Sequence, residues 1–193
     1  MKRRILSPVM VAAAAVTLVA GALVGGAPAA QAEALGGFST TGSLPAPLSG
    51  ATMTVLPGGD VLVAGGMTGS ASSPSPANVA DLYDPATGTW ASTGSLPTPV
   101  YDAAATLLAN GDVLVAGGLA GSSSPLVATA VAQVYDPSTN TWATTGSMTA
   151  GRFGAVAERL ANGEVLVAGG DTGTSIDATS TSTATLFDPS NGT

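Results

Sequence analysis

The sequence predicts an all-β chain made of β-propeller blades, and three observations lead there. Landmarks recur every 52 residues: Thr41-Gly42-Ser43-Leu44, Thr93-Gly94-Ser95-Leu96 and Thr145-Gly146-Ser147-Met148 are one set. Gly65-Gly66, Gly117-Gly118 and Gly169-Gly170 are a second, and Tyr83-Asp84-Pro85, Tyr135-Asp136-Pro137 and Phe187-Asp188-Pro189 a third. The apolar runs are short and bounded by turn residues, unlike the 3.6-residue periodicity of a helical solenoid. Each period reads as four short strands, and four strands at a period near 50 residues mark propeller blades.

Taken in chain order, the first element is a leader. Lys2, Arg3 and Arg4 precede an apolar run of 16 residues from Val9 to Val24, and a small-residue region ends at Ala30-Gln31-Ala32. That order predicts a secretory signal peptide over 1–32, cleaved after Ala32. The run is shorter than the roughly 20 residues a spanning helix needs. A short linker over 33–37 and three repeats, 38–89, 90–141 and 142–193, are expected to follow.

The middle copy displays the strands. Ala103 to Leu108 is the first, a small apolar run. Asn110-Gly111 is expected to form a type I′ hairpin turn with two positive-φ positions. Val113 to Ala116 is the second strand, apolar on both faces. Thr129 to Tyr135 is the third, rich in strand formers. Asp136 to Asn140 is turn chemistry, and Trp142 to Thr145 is the fourth strand.

Composition excludes several functions. Loss of the leader leaves Arg152 and Arg159 against all 12 acidic residues, a net charge of −10. Such a surface repels phosphate backbones and anionic lipid, so neither nucleic acid nor a membrane is an expected partner. The chain has no cysteine and no histidine. Disulfides, thiolate nucleophiles, imidazole bases and His/Cys metal sites are therefore excluded, and no cofactor or metal is predicted.

The double glycine after the second strand, the Tyr-Asp-Pro after the third, and a Trp seven residues beyond that Tyr resemble the kelch repeat. The resemblance runs from Phe38 through the repeats and is similar to secreted bacterial kelch proteins and to the propeller of the galactose oxidase group. It implies kelch-type blades, and it implies fold more specifically than function. The copper oxidases of that fold use histidine, tyrosine and cysteine, of which this chain lacks two. The paired glycines are expected to permit close backbone approach near the axis, and Tyr83, Trp90, Tyr135 and Trp142 to wedge between blades. The family often has Arg where a fourth strand hands over to the next blade. Only Arg152 fits, since Leu48 and Val100 hold the equivalent places.

Phe38 stands in phase with Trp90 and Trp142, and Thr193 lies one residue before the next such position. Three blades cannot close a ring, for which four to eight is the usual range. The chain is thus expected to be either part of a longer propeller or half of a six-bladed homodimer, each N-terminal strand completing a blade of its partner.

In this architecture the second-to-third and fourth-to-first connections share one face. Met67 to Asn78, Leu119 to Ala128 and Asp171 to Ser180 are expected to be loops there, joined by Tyr101-Asp102 and Arg152-Phe153. Loops on a rigid scaffold are where binding resides. The candidate ligand-binding residues are Tyr101, Asp102, Arg152, Phe153, Asp171 and Asp177, Tyr101 and Asp102 suiting a sugar ring. Asp171 and Asp177 alone offer too few oxygens for a Ca²⁺ site. The acids of the opposite turns, among them Asp84, Asp136 and Asp188, repeat with the scaffold and read as turn formers. The expected function is a secreted binding or interaction module for a protein or glycan, with no catalytic signature. The alternatives are a fragment of a larger galactose oxidase-like or other propeller enzyme, or an incomplete gene product without activity of its own.

Overall fold

The computed structural model describes residues 37–70 and 73–193. The expected leader and most of the linker lie outside them. Among the described residues every regular element is a strand, and no helix is long and apolar enough to cross a membrane.

Ser39–Thr193 form one compact unit. Blade I consists of β1 (Thr52–Val55), β2 (Val61–Ala64), β5 (Ala80–Asp84) and β6 (Thr89–Ser92), hydrogen-bonded in that order. Blade II repeats the pattern with β7 (Ala104–Leu107), β8 (Val113–Ala116), β11 (Ala132–Asp136) and β12 (Thr141–Thr145). Blade III has β13 (Val156–Arg159), β14 (Val165–Ala168) and β17 (Ala184–Phe187). The first strands converge, β7 lying beside β1 on one side and β13 on the other. The small side chains of Ala103 to Ala105 and of Ala155 and Ala157 permit this approach, and they line a crevice with Thr52 and Met53.

The repeated Val-Leu-Val-Ala strand is buried according to how many neighbours its blade has. In blade II all four residues of β8 are buried, because both faces meet another blade. Val113 and Val115 join Tyr135, Leu62, Ala64 and Ala80 in the core between blades I and II. Leu114 and Ala116 join Val165, Val167 and Phe187 in the core between blades II and III. In blade III burial along the strand alternates, Val165 and Val167 buried and Leu166 and Ala168 half-buried. Tyr135 is fully buried as the expected wedge, its ring 5.2 Å from Trp142, and Tyr83 and Trp90 pair at 5.0 Å in blade I.

Two expectations about connections need correction. The first-to-second turns are not type I′. Leu108 donates its amide to Asp112 and accepts that of Gly111, and of the Asn110-Gly111 pair only Gly111 has positive φ. This is a three-residue loop closed by one left-handed glycine, and Gly59 and Gly163 repeat it. The second-to-third connections are not loops. They form hairpins, β3 (Met67–Ser70) with β4 (Ser73–Pro76), β9 (Leu119–Ala120) with β10 (Val127–Ala128), and β15 (Asp171–Thr174) with β16 (Asp177–Ser180). The last two join through Val127 and Thr174 into a four-stranded sheet bridging blades II and III.

The double glycine is the joint between blades. The Gly66 amide donates to the Val100 carbonyl at 2.8 Å, and the Gly118 amide donates to that of Arg152 at 2.8 Å. A Cβ on Gly117, whose φ is +72°, would lie 2.4 Å from the Arg152 carbonyl oxygen. Gly117→Ala should therefore lower unfolding free energy by about 3 kcal/mol. Gly58→Ala, with open space at its Cβ, should change it by less than about 0.5 kcal/mol. Urea titration of both variants checks the contrast, and equal effects would refute it.

Candidate functional site

The hairpin face is built from three equivalent corners. In each, the residue opening the fourth-to-first connection pairs with the residue opening the hairpin: Ser49 with Met67, Tyr101 with Leu119, Phe153 with Asp171. These bridges bring the two kinds of connection to one end of the blades, as the repeat reading anticipates.

The next residue of each corner has a left-handed backbone: Gly50 at φ +59°, Asp102 at +53° and Gly154 at +61°. Their main chains form a ladder from blade to blade. The Asp102 amide donates to the Gly50 carbonyl at 2.8 Å, and the Gly154 amide donates to the Asp102 carbonyl at 2.8 Å. Asp102 thus holds a conformation that two of the three repeats give to glycine, at a cost of about 1 kcal/mol for an L-residue. Its carboxylate lies over Gly50, where a Cβ would come within 2.5 Å of Oδ1. Burial raises the pKa of Asp102 above its ordinary value. Burial also raises that of Tyr101, helped by the negative charge of Asp102.

The six sequence candidates separate into three groups. Tyr101, Asp102 and Phe153 come together along the ladder, each half-buried. Arg152 does not belong to the exposed face. It is 1% exposed, and its guanidinium donates to the Gly169 carbonyl at 3.0 Å, the Thr183 carbonyl at 2.8 Å and the Thr183 hydroxyl at 2.9 Å. Those acceptors compensate a buried cation, so Arg152 ties the second-to-third connection of blade III to its fourth-to-first connection. Asp171 and Asp177 lie on the hairpin of blade III but apart, Asp171 opposite Ser180 and Asp177 opposite Thr174. Ser180 donates its hydroxyl to Asp171 Oδ1 at 2.6 Å. Among the described residues, no group of three or more His, Cys, Asp or Glu could hold a metal ion.

The repeat reading overlooked the hairpins themselves. Their signal was the recurrence of Gly69, Gly121 and Gly173 at the 52-residue spacing, all with positive φ. It also overlooked Gln133, 1% exposed, which accepts the Thr98 amide at 2.7 Å and donates to the Thr98 carbonyl at 3.1 Å. That clamp secures the connection leading to Tyr101.

On the opposite face, Asp136 accepts hydrogen bonds from the Ser138 hydroxyl, the Thr139 hydroxyl and the Ser138 amide, and these lower its pKa. Asp84, through the Thr87 hydroxyl and Ala86 amide, and Asp188, through Ser190, behave alike. Acids with depressed folded pKa values stabilise the fold above their ordinary 3.8, and that contribution disappears as pH falls through the folded values. Asp102 has the opposite sign, since its raised pKa disfavours the fold when the carboxylate is ionised. Asp102→Asn should raise the melting temperature at pH 7 by about 1 °C, with the gain vanishing below pH 3.8. Asp136→Asn should lower it at pH 7, that loss also fading on acidification. Thermal melts between pH 3 and pH 7 check both signs.

Residues 103–149, within the middle copy, match the family model of the Kelch motif. No curated protein matches the sequence. Among solved structures, the one titled "Structure of YjhT" is similar with a TM-score of 0.60 and 16% identity, over 78% of this chain and 55% of that one. The present chain thus spans about half the length of that relative. The matched motif in the middle copy and the propeller fold shared with YjhT make these blades members of the kelch-repeat β-propeller family.

Proposed function

We propose that this kelch-type module is exported and non-catalytic, and that it binds a ligand on the hairpin face. The observation that carries the reading is Asp102. It occupies a left-handed position in line with Gly50 and Gly154, with an aromatic ring beside it in sequence and a second one at Phe153. Backbone strain of this kind persists where surrounding structure imposes it, and it clusters at binding sites. Among the described residues no donor satisfies the Asp102 carboxylate, which leaves its oxygens free for hydroxyl donors.

A neutral polyhydroxylated ligand suits the trio best. Aromatic faces stack against the apolar face of a sugar ring, while a carboxylate accepts from its hydroxyls. The acidic chain disfavours anionic ligands, so neutral glycans fit better than acidic ones, and a glycosylated protein surface fits for the same reason. The absence of histidine and cysteine supports a non-catalytic role, and the basic-apolar-small order of residues 1–32 supports export.

A glycan array followed by calorimetric titration tests the binding. Tyr101→Ala and Asp102→Ala should each weaken affinity about tenfold or more, with melting temperature shifted by only a few degrees. Binding of neutral glycans that survives both substitutions would move the site elsewhere, and no binding at millimolar ligand would sink the glycan reading. Mass spectrometry of protein from the medium should find Glu33 at the N-terminus.

A further inference from the structure

Blades I and II each have a fourth strand whose aromatic residue faces the third strand's tyrosine, Trp90 opposite Tyr83 and Trp142 opposite Tyr135. Each tryptophan also packs over a glycine 48 residues earlier. A Cβ on Gly42 would lie 3.6 Å from Trp90 Cδ1, and one on Gly94 would lie 3.6 Å from Trp142 Cδ1. In blade III, Phe187 holds the tyrosine's place and Gly146 the glycine's. Among the described residues β17 pairs only with β14, so its outer edge is open. Beside Gly146 there is instead a cavity of about 250 Å³ whose lining includes Leu114, Ala116, Met148, Val167 and Phe187. Subtracting one repeat from these residues leads to Leu62, Ala64, Leu96, Val115 and Tyr135, the core beside Trp142. The cavity is an aromatic-sized slot awaiting a fourth strand.

The same chain carries a fourth strand with no third strand beside it. Phe38-Ser39-Thr40-Thr41-Gly42 corresponds to Trp90-Ala91-Ser92-Thr93-Gly94 and to Trp142-Ala143-Thr144-Thr145-Gly146. Its far end makes the contacts a fourth strand makes as it exits. The Gly42 amide donates to the Gly88 carbonyl at 3.1 Å, as Gly146 does to Gly192 at 2.7 Å, and the Thr41 hydroxyl bonds to that of Tyr83 as Thr93 does to Tyr135. Residues 38–40 nevertheless form no strand, and Phe38 is fully exposed.

The open faces are complementary as well. Cross-strand pairing puts Val55, Val61, Tyr83 and Trp90 on the face of blade I turned away from blade II, equivalent to the Val113–Tyr135 face of blade II. It puts Leu166 and Leu186 on the outer face of blade III, equivalent to Leu114 and Val134. The face that blade III leaves open is the kind that blade I's open face would meet in a continued ring. Exposed Met53, Val55, Val156 and Leu186 lie on these two faces.

We propose that the occupant is a second copy of this chain. Residues 38–42 of each copy add to β17 of the other, Phe38 enters the slot beside Gly146, and the copies close a six-bladed, two-fold symmetric ring. Three blades cannot close on themselves, since rings of four to eight are the workable range, so the donated strand must come from another molecule. Each blade III is incomplete until its partner supplies Phe38.

The register is testable because the chain has no cysteine. Leu82 faces Ala91 and Val134 faces Ala143, so Ser39 should face Leu186 of the second copy. Light scattering of the purified chain should give a dimer. Ser39→Cys with Leu186→Cys should form a covalent dimer on mild oxidation, while neither single variant should. Phe38→Ala should raise the dimer dissociation constant at least about 30-fold. A folded monomer would overturn the proposal. So would a dimer that is indifferent to Phe38→Ala and does not cross-link between positions 39 and 186, because it would use another interface. Aggregation of the unsubstituted chain would overturn it as well, since self-completion would then have failed. Glycan binding is read separately, and its loss or survival bears only on the hairpin face.

Discussion

Every blade depends on a backbone joint at the double glycine, where the connection leaving one blade is bonded to the second strand of the blade before it. Only hydrogen at Cα allows the Val100 carbonyl to sit where a Cβ on Gly65 would be 2.5 Å away. Close approach at that point sets the spacing of the inner strands. The alanines at 103–105, 155 and 157 then let β1, β7 and β13 converge, and the larger side chains are left to fill the widening space between blades. Leu62, Val113, Val115 and Tyr135 on one side of blade II, and Leu114, Val165, Val167 and Phe187 on the other, are that filling. Apolar packing of this extent carries the stability of a chain with no disulfide to help it.

The hairpin face inherits its rigidity from the same joints. Tyr101 and Phe153 directly follow the residues whose carbonyls the glycine amides bind, so their backbones are held before any side-chain contact is made. The sheet formed by the hairpins of blades II and III adds a second tie across the blade boundary, and Gln133 clamps the segment that leads into Tyr101. A strained residue such as Asp102 survives in this setting because its amide and carbonyl are both engaged, by Gly50 and Gly154. Arg152 shows how the same scaffold absorbs a charge. It spends its donors on two carbonyls and a hydroxyl within blade III, leaving Nε buried without a partner. Its role is structural although its neighbour in sequence, Phe153, stands on the binding face.

The sequence by itself determined the strand count of each blade, the phase of the repeat and the wedge residues. These depend on local turn chemistry, on apolar runs and on identity at fixed spacing, all of which are written linearly. The second strand of the middle copy was legible to the residue, because Asp112 and Gly117 bound it with turn chemistry. Tertiary structure alone decided three things. The hairpins formed where polar loops were expected, because backbone pairing needs only geometry and positive-φ glycines at the bends, with no apolar pattern to announce it. Arg152 left the surface because burial is set by the neighbouring blade and by which carbonyls it presents. Tyr101, Asp102 and Phe153 became neighbours because a backbone ladder joins residues a full repeat apart, a relation that no stretch of sequence records.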